Sequence, residues 1–269
     1  MKLSTHQFAV SAPPVIPNSD IIDVAGISLV ADCAGALFWP KEGLLAVADL
    51  HLEKGSSFAA RGLLLPPYDT ATTLGRLGRL IATYSPRVVV ALGDSFHDRE
   101  GSLRISPRDR TALKVQQRSR DWIWIAGNHD PDPADGIGGT FTTTFSLGPL
   151  TFRHDPAARY RTAWTSEASL TDSIAPQSVL SRASNSVDGE ITGHLHPNAR
   201  VSQRGRSITR RCFATNGQRL VMPAFGAYTG GLNIRDAVFR NVFGSLDFTV
   251  HLLGDRRLYA LAAARCLAD

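Results

Sequence analysis

Short apolar runs recur along this chain, each closing on polar residues: 44–48 (LLAVA), 87–92 (RVVVAL), 122–126 (WIWIA), 149–153 (PLTFR), 190–192 (EIT) and 219–225 (RLVMPAF). Near-continuous apolar segments of this length suit strands buried on both faces. Between the first two, residues 68–84 space Leu74, Leu77, Leu80 and Ile81 along one helical face, with Asp69 or Thr70 available to cap the start and Ser85-Pro86 to end it. A second helix is expected over 103–120, and 236–260 adds strand-like runs ahead of a short final helix. Strand, helix, strand order implies a layered α/β sheet, with functional groups at the carboxyl ends of its strands.

Composition narrows the class. Of 269 residues, 43% are hydrophobic and 20% charged, which rules out disordered, collagen-like and coiled-coil chains. No stretch approaches the ~18–20 apolar residues of a membrane span, and the N-terminus lacks a signal-peptide core. The simplest division is a loose leader over 1–22 and a single domain over 23–269. Three cysteines, Cys33, Cys212 and Cys266, form neither a disulfide framework nor a zinc knuckle, so a reducing, cytoplasmic setting is expected. The net charge is +5, and of 29 basic residues only four are lysines, leaving 25 arginines. Arginine forks suit phosphate. Genome-driven arginine usage explains many of these positions equally well, so nucleic acid stays an open partner.

Metal-capable side chains follow the strand-like runs directly. After LLAVA come Asp49 and His51; after VVVAL come Asp94 and His97; after WIWIA come Asn128, His129 and Asp130; His154 follows TFR, and His194 and His196 follow EIT. Six of the eight histidines fall in this set. In an extended segment, residues two apart point to one side, so Asp49 with His51 and His194 with His196 are expected to act as two pincers. Gly93, Gly127 and Gly193 precede the candidates where the chain must turn off a strand. A lone D-x-H or H-x-H is a weak signal, more often a capped turn or a surface histidine. All the blocks in order, each closing an apolar run, make coincidence a poor account. Oxygen and nitrogen donors together suit manganese, iron, zinc or magnesium, and argue against a thiolate site.

The series D-x-H, G-D, G-N-H-D, H, G-H-x-H resembles the pattern of the calcineurin-like metallophosphoesterase superfamily, over about 49–196. That resemblance implies a four-layer α-β-β-α sandwich with a dinuclear metal site at the carboxyl ends of the strands. It implies that Asp49, His51 and His196 hold one ion, that Asn128, His154 and His194 hold the other, and that Asp94 bridges them. It makes His129 the proton donor to the leaving group, with Asp130 orienting it or tuning its pKa. The implied cofactors are two divalent ions, Mn2+ foremost, with Mg2+, Fe2+ or Zn2+ as alternatives. Two such ions, less the two aspartates and a bridging hydroxide, leave a site on the order of +1, which draws a phosphate anion and supports in-line attack on phosphorus.

Finer features extend the resemblance to about 26–235. Asp49 to Lys54, with Phe58, Arg61, Gly62 and Pro66-Pro67, is similar to the ICC-like phosphoesterases of bacteria. Residues 222–231, MPAFGAYTGG, look like a branch described as ligase-associated DNA damage response endonucleases, which accompany a DNA ligase, a helicase and an exonuclease. Gly93 to His97 also resembles the second motif of double-strand-break repair nucleases, which makes His97 a second catalytic candidate. An equally good alternative is that His97 only hydrogen-bonds a neighbouring carboxylate. Two arginine clusters bear on substrate: Arg99 and Arg104 with Arg108 and Arg110, and Arg200 with Arg204, Arg206, Arg210 and Arg211. They either follow a nucleic-acid backbone or form a solvated helix face and an exposed turn. Tyr228 stacks a base or simply packs. The expected function is a DNA endonuclease of repair acting on single-stranded or flapped DNA, with no membrane partner. A small-molecule phosphoesterase is the first alternative. A non-catalytic scaffold is the second, disfavoured because all seven ligand candidates and His129 are present.

Overall fold

The apolar runs form the spines of two stacked sheets. The computed structural model describes residues 18–132, 136–157, 188–203 and 205–269. The first sheet has the spatial order β1 (Ser19–Val24), β2 (Ile27–Asp32), β3 (Leu37–Trp39), β4 (Leu44–Val47), β5 (Val88–Leu92), β6 (Asp121–Ile125) and β7 (Thr140–Thr142). β1 to β4 form an antiparallel meander and β4 to β7 pair in parallel, with Leu44 opposite Val88 and Val88 opposite Asp121. β1 begins at Ser19, inside the stretch expected as leader.

The second sheet contains β8 (Thr144–Leu147), β9 (Leu150–Arg153), β10 (Gly189–Thr192), β11 (Pro197–Gln203), β12 (Arg206–Thr215), β13 (Arg219–Val221) and β14 (Leu232–Asn233), in the order β14-β11-β12-β13-β10-β9-β8. β15 (Thr249–Leu253) pairs with β12 and with β16 (Leu258–Ala262). β9, β10 and β13 run parallel, so their carboxyl ends open on one side of the sheet.

Side-chain alternation decides how the sheets stack. From β4, Leu44 and Ala46 point with Val90, Leu92, Ile123 and Ile125 toward Leu150, Phe152, Ile191, Phe213 and Leu220, which makes the core between the sheets. Leu45 and Val47 point the other way, with Val89, Trp122 and Trp124, against the helices. Those helices are α1 (Lys54–Ala60), α2 (Asp69–Tyr84), α3 (Gly101–Arg104) and α4 (Pro107–Gln117). On the far side α5 (Ala237–Phe243) lays Phe239, Val242 and Phe243 on Cys212, Ala214, Val250 and Leu252. The four layers are those expected, each fully buried side chain of this kind stabilising by about 1.5–3 kcal/mol. Among the described residues no helix is long and apolar enough to cross a membrane, and the three cysteines are free thiols.

Local structure departs from expectation at four places. α2 spans the expected stretch, but neither Asp69 nor Thr70 caps it: Asp69 accepts from the Gly55 N–H at 3.0 Å and Thr70 from the Glu53 N–H at 2.8 Å, so both secure the start of α1. The expected 103–120 helix divides into α3 and α4, because Ser106 takes an extended conformation before Pro107 and caps α4 by accepting from the Asp109 N–H. The 219–225 run is a strand only to Val221, after which Met222 to Phe225 cross toward β4, Phe225 N–H donating to Ala48 O at 2.8 Å. Residues 237–243, whose last two open the strand-like run 242–253, are α5, capped by Asp236 and ended by left-handed Gly244; the final helix is one short turn, Ala263–Arg265.

Where α2 ends, the buried Tyr84 hydroxyl donates to Asp32 Oδ2 at 2.7 Å. Tyr84→Phe would leave that buried oxygen without its donor, so unfolding free energy should fall by about 1–3 kcal/mol, read as a lower urea midpoint at unchanged slope.

Candidate metal centre

Each expected ligand lies just past the end of a central strand, on loops tied to one another by main-chain hydrogen bonds. Asp49, His51 and Leu52 donate their N–H groups to the carbonyls of Gly93, Asp94 and Ser95, while His97 N–H donates back to Leu52 O. The backbone that does this is not extended. Asp49 (φ 53°), His51 (42°), Asp94 (46°), His194 (67°) and His196 (45°) are all left-handed. The paired residues therefore converge through alternating left-handed turns, not through the two-residue repeat of a strand as expected. Such a conformation costs on the order of 1 kcal/mol at each non-glycine residue, least for Asp, Asn and His. It persists because the surrounding network holds it. Gly93 is left-handed as well (φ 75°), and a Cβ there would enter the His154 ring.

Two trios form. Asp49, His51 and His196 offer ligand atoms within 4.8 Å of one another, and so do Asp94, His154 and His194. His196 Nε2 lies 3.3 Å from Asp49 Oδ1 and 3.4 Å from His51 Nε2. In the second trio His154 Nε2 lies 3.4 Å from Asp94 Oδ2, 3.1 Å from His194 Nδ1 and 3.0 Å from Asn128 Oδ1. Asp94 Oδ2 is also 3.9 Å from His51 Nε2, which puts one carboxylate between the trios. A third trio, His51, His97 and His129, contains no carboxylate.

The donor set fits two cations. The Nδ1–H of His154 donates to Leu92 O at 2.9 Å and that of His196 to Gly230 O at 3.2 Å, which leaves the Nε2 lone pair of each facing its trio. His194 is reversed: its Nε2 faces Asp155 at 3.3 Å, leaving Nδ1 for the trio. Such outer partners fix tautomer and ring orientation at metal sites. Asp49 and Asp94 are almost fully buried, each accepting a main-chain N–H, from His194 and His129 respectively. Imidazole nitrogens packed this closely around buried carboxylates are satisfied by a shared cation.

Titration of the free chain reflects the same crowding. Burial pushes the His51 imidazole down to about 3, assisted by His196, His129 and His97 against the pull of Asp94. Burial alone would raise Asp94, but its hydrogen bond with His154 and that ring's charge outweigh it, and the carboxyl falls well below the usual range. His154 moves to about 9: burial opposes the charge, while Asp94 and Asp49 more than compensate. A cation entering here therefore displaces a proton.

Two expected contacts are replaced by others. Asp130 does not touch the His129 ring. Its Oδ2 accepts from the Ser95 and Phe96 N–H groups at 2.8 and 3.0 Å, and burial raises its carboxyl to about 7. His129 is oriented instead by His97 O, which accepts from its Nδ1 at 2.9 Å; the ring is 39% exposed and its Nε2 looks into the cleft, 4.0 Å from Asp94 Oδ2. His97 bonds no carboxylate. Its Nδ1 meets His51 Nδ1 at 3.3 Å and its ring stacks on His129, with centroids 5.2 Å apart. Burial, with Lys54 and His129, lowers His97 to about 4, and Arg61 adds to the effect.

The arginine clusters separate. Arg99 reaches the rim of the cleft, paired with Asp132 at 3.1 Å. Arg104 is taken up by Asp98, both contacts 2.7 Å, and Arg110 donates to the Ser102 and Gly136 carbonyls. Arg200 donates to Ala268 O and Ser207 Oγ on the β11–β12 hairpin and is not a lining residue of the cleft. Arg204 lies outside the described residues. Arg211 turns inward: with Arg76 it donates to the carbonyls of Ala224, Phe225 and Gly226, the segment whose N–H groups brace Ala48 and Asp49. Tyr228 is half-buried on the loop leading to Gly230 and Gly231, which line the cleft. Lys54 and Asp155 were missed as site residues, although both adjoin the motifs: Lys54 lines the cleft and Asp155 holds His194.

Gly127 shows how tightly the loops interlock, since a Cβ there would run into the Asp94 main-chain nitrogen and carboxylate. Gly127→Ala should weaken divalent-ion binding by about 10–100-fold, the range for disturbed outer partners of ligands, measured by calorimetric titration of the metal-free chain.

A family model described as calcineurin-like phosphoesterase matches residues 44–198. No curated protein matches the chain. Among solved structures it is similar to Pseudomonas putida nuclease MPE, at 24% identity and TM-score 0.63, over 90% of this chain and 100% of that one. It also aligns with Yfce, a phosphoesterase from E. coli, at 15% identity and TM-score 0.38, over 82% of this chain and 98% of that one.

Proposed function

Because the chain belongs to the calcineurin-like phosphoesterase family, we propose that it is a metal-dependent phosphodiesterase that cuts single-stranded or flapped DNA internally, in repair. The observation that carries this reading is Asp94 set between two histidine-rich trios, with the His129 Nε2 facing the same cleft. The nuclease fold neighbour and the cations Lys54, Arg61 and Arg99 around the cleft support a nucleic-acid substrate.

Asp49, His51 and His196 would hold one ion, Asn128, His154 and His194 the second, and Asp94 both. When bound, two divalent ions, manganese first among those this set accepts, supply an activated water and a positive field for the phosphate. The remaining work belongs to the chain. His97 Nδ1 and Asp155 hold the rings of His51 and His194 in place. His129, steadied at Nδ1 by His97 O, carries at Nε2 the proton that the departing alkoxide takes. The cleft beside the trios measures about 320 Å³, which also suits a small phosphodiester, so a small-molecule substrate is the second reading.

The test is manganese-dependent cleavage of bis-p-nitrophenyl phosphate alongside circular single-stranded DNA, which offers no ends. Cleavage of both by the wild-type chain, lost in Asp94→Asn, supports the endonuclease. Cleavage of the small diester alone rejects DNA and leaves the second reading.

A further inference from the structure

A second cavity, of about 480 Å³, adjoins the metal centre and shares His97, Asn128 and His129 with its wall. Its outer wall carries Arg61, Arg99, Arg104, Asp98 and Glu100. The charges on that wall are not equally available. Arg104 is committed to Asp98, its Nη2 lying 2.7 Å from both carboxylate oxygens, with Ser56 Oγ at 3.1 Å, so Arg104 offsets Asp98, while Glu100 at 3.7 Å is 80% exposed and keeps its charge in solvent. Arg61 follows the last turn of α1, is exposed and has no ion-pair partner among the described residues. Among the described residues Asp132 is the ion-pair partner of Arg99, and both side chains are about 70% exposed. A pair so exposed is worth at most about 1 kcal/mol, so a phosphate can displace the carboxylate.

We propose that Arg61 and Arg99 form a subsite for the phosphate next to the scissile one, which makes the chain selective for substrates carrying at least two consecutive phosphodiesters. This rests on the phosphodiesterase reading, and adds to it the residues that select a polynucleotide strand over a single diester. The strand crosses His97 and His129 from one cavity to the other. Its scissile phosphate lies at the trios and its neighbour lies between two guanidinium forks, whose planar geometry matches phosphate oxygens. Asp132 then acts as a competitor for Arg99, and Arg104 serves as a strut that keeps Asp98 from neutralising the subsite.

The test has a binding arm and a cleavage arm. In the first, a fluorescein-labelled twelve-residue oligodeoxythymidylate is titrated in EDTA over a salt series and followed by anisotropy. Arg61→Gln with Arg99→Gln should weaken binding and flatten the salt dependence by about 0.7, since each single-strand phosphate neutralised by the protein adds about 0.7 to the slope and the two arginines share one phosphate. Asp132→Asn should tighten binding. In the second arm, manganese-dependent kcat/KM is compared for TpT and TpTpT, and the preference for TpTpT should shrink by at least about tenfold in the double variant, the value of one charge-assisted hydrogen bond. An unchanged salt slope, equal losses on TpT and TpTpT, or no oligonucleotide binding by the wild-type chain would overturn the subsite. A wild-type chain that binds the oligonucleotide with the expected slope, yet cleaves only bis-p-nitrophenyl phosphate, would reject the endonuclease while keeping the subsite.

Discussion

Asp94→Asn should lower manganese-dependent cleavage of bis-p-nitrophenyl phosphate by more than about 100-fold, beyond the loss seen when an outer partner of a ligand is removed. The substitution keeps the shape and the acceptor for the His129 N–H, but takes the negative charge from between the trios. Two cations close together need that charge more than any other in the cleft, because Asp49 serves one trio only. Calorimetric titration should show both binding events weakened, the second more than the first. Wild-type turnover, or loss of one event alone, would reject the shared carboxylate.

His129→Ala should behave differently. The ring lies outside the two carboxylate-bearing trios, so ion content should stay near wild type while cleavage of an alkyl diester falls by about 10²–10⁴, the usual worth of a positioned general acid. A p-nitrophenolate leaves without a proton, so bis-p-nitrophenyl phosphate should lose far less. Equal losses on both substrates would exclude the proton-donor role. Because the His97 ring stacks on His129 and meets His51 Nδ1, His97→Ala should reproduce part of this pattern while also loosening His51, although the main-chain carbonyl that accepts from His129 stays in place.

The layered fold was legible where strands are buried on both faces. β4, β5 and β6 read as unbroken apolar runs because, past the first residue of β5 and of β6, both faces of each strand are buried. The β11–β12 hairpin escaped because most of the outer half of β12 faces solvent and its arginines mask the alternation. α5 escaped because its last residues, Val242 and Phe243, open the apolar run 242–253 that reads as strand; its cap Asp236 and its stop Gly244 are the better guide. At the site, the order of the motifs marked which residues gather, but not how. Spacing cannot show that Asp130 turns from His129 to the Ser95 and Phe96 N–H groups, or that Arg211 turns inward to main-chain carbonyls. Both are decided by partners far away in the chain.

The left-handed turns at Asp49, His51, Asp94, His194 and His196 bear on the order in which the molecule assembles. Each lies where a strand has ended and depends on pairing between distant segments, so none of these turns is stable before the sheets have formed. The cluster is therefore expected to form after the sheets. Cations that enter it act on a structure already built, and their affinity slows escape from the native state without speeding arrival. Metal supply should then govern how long a folded molecule lasts, and leave the rate at which new chains fold unchanged.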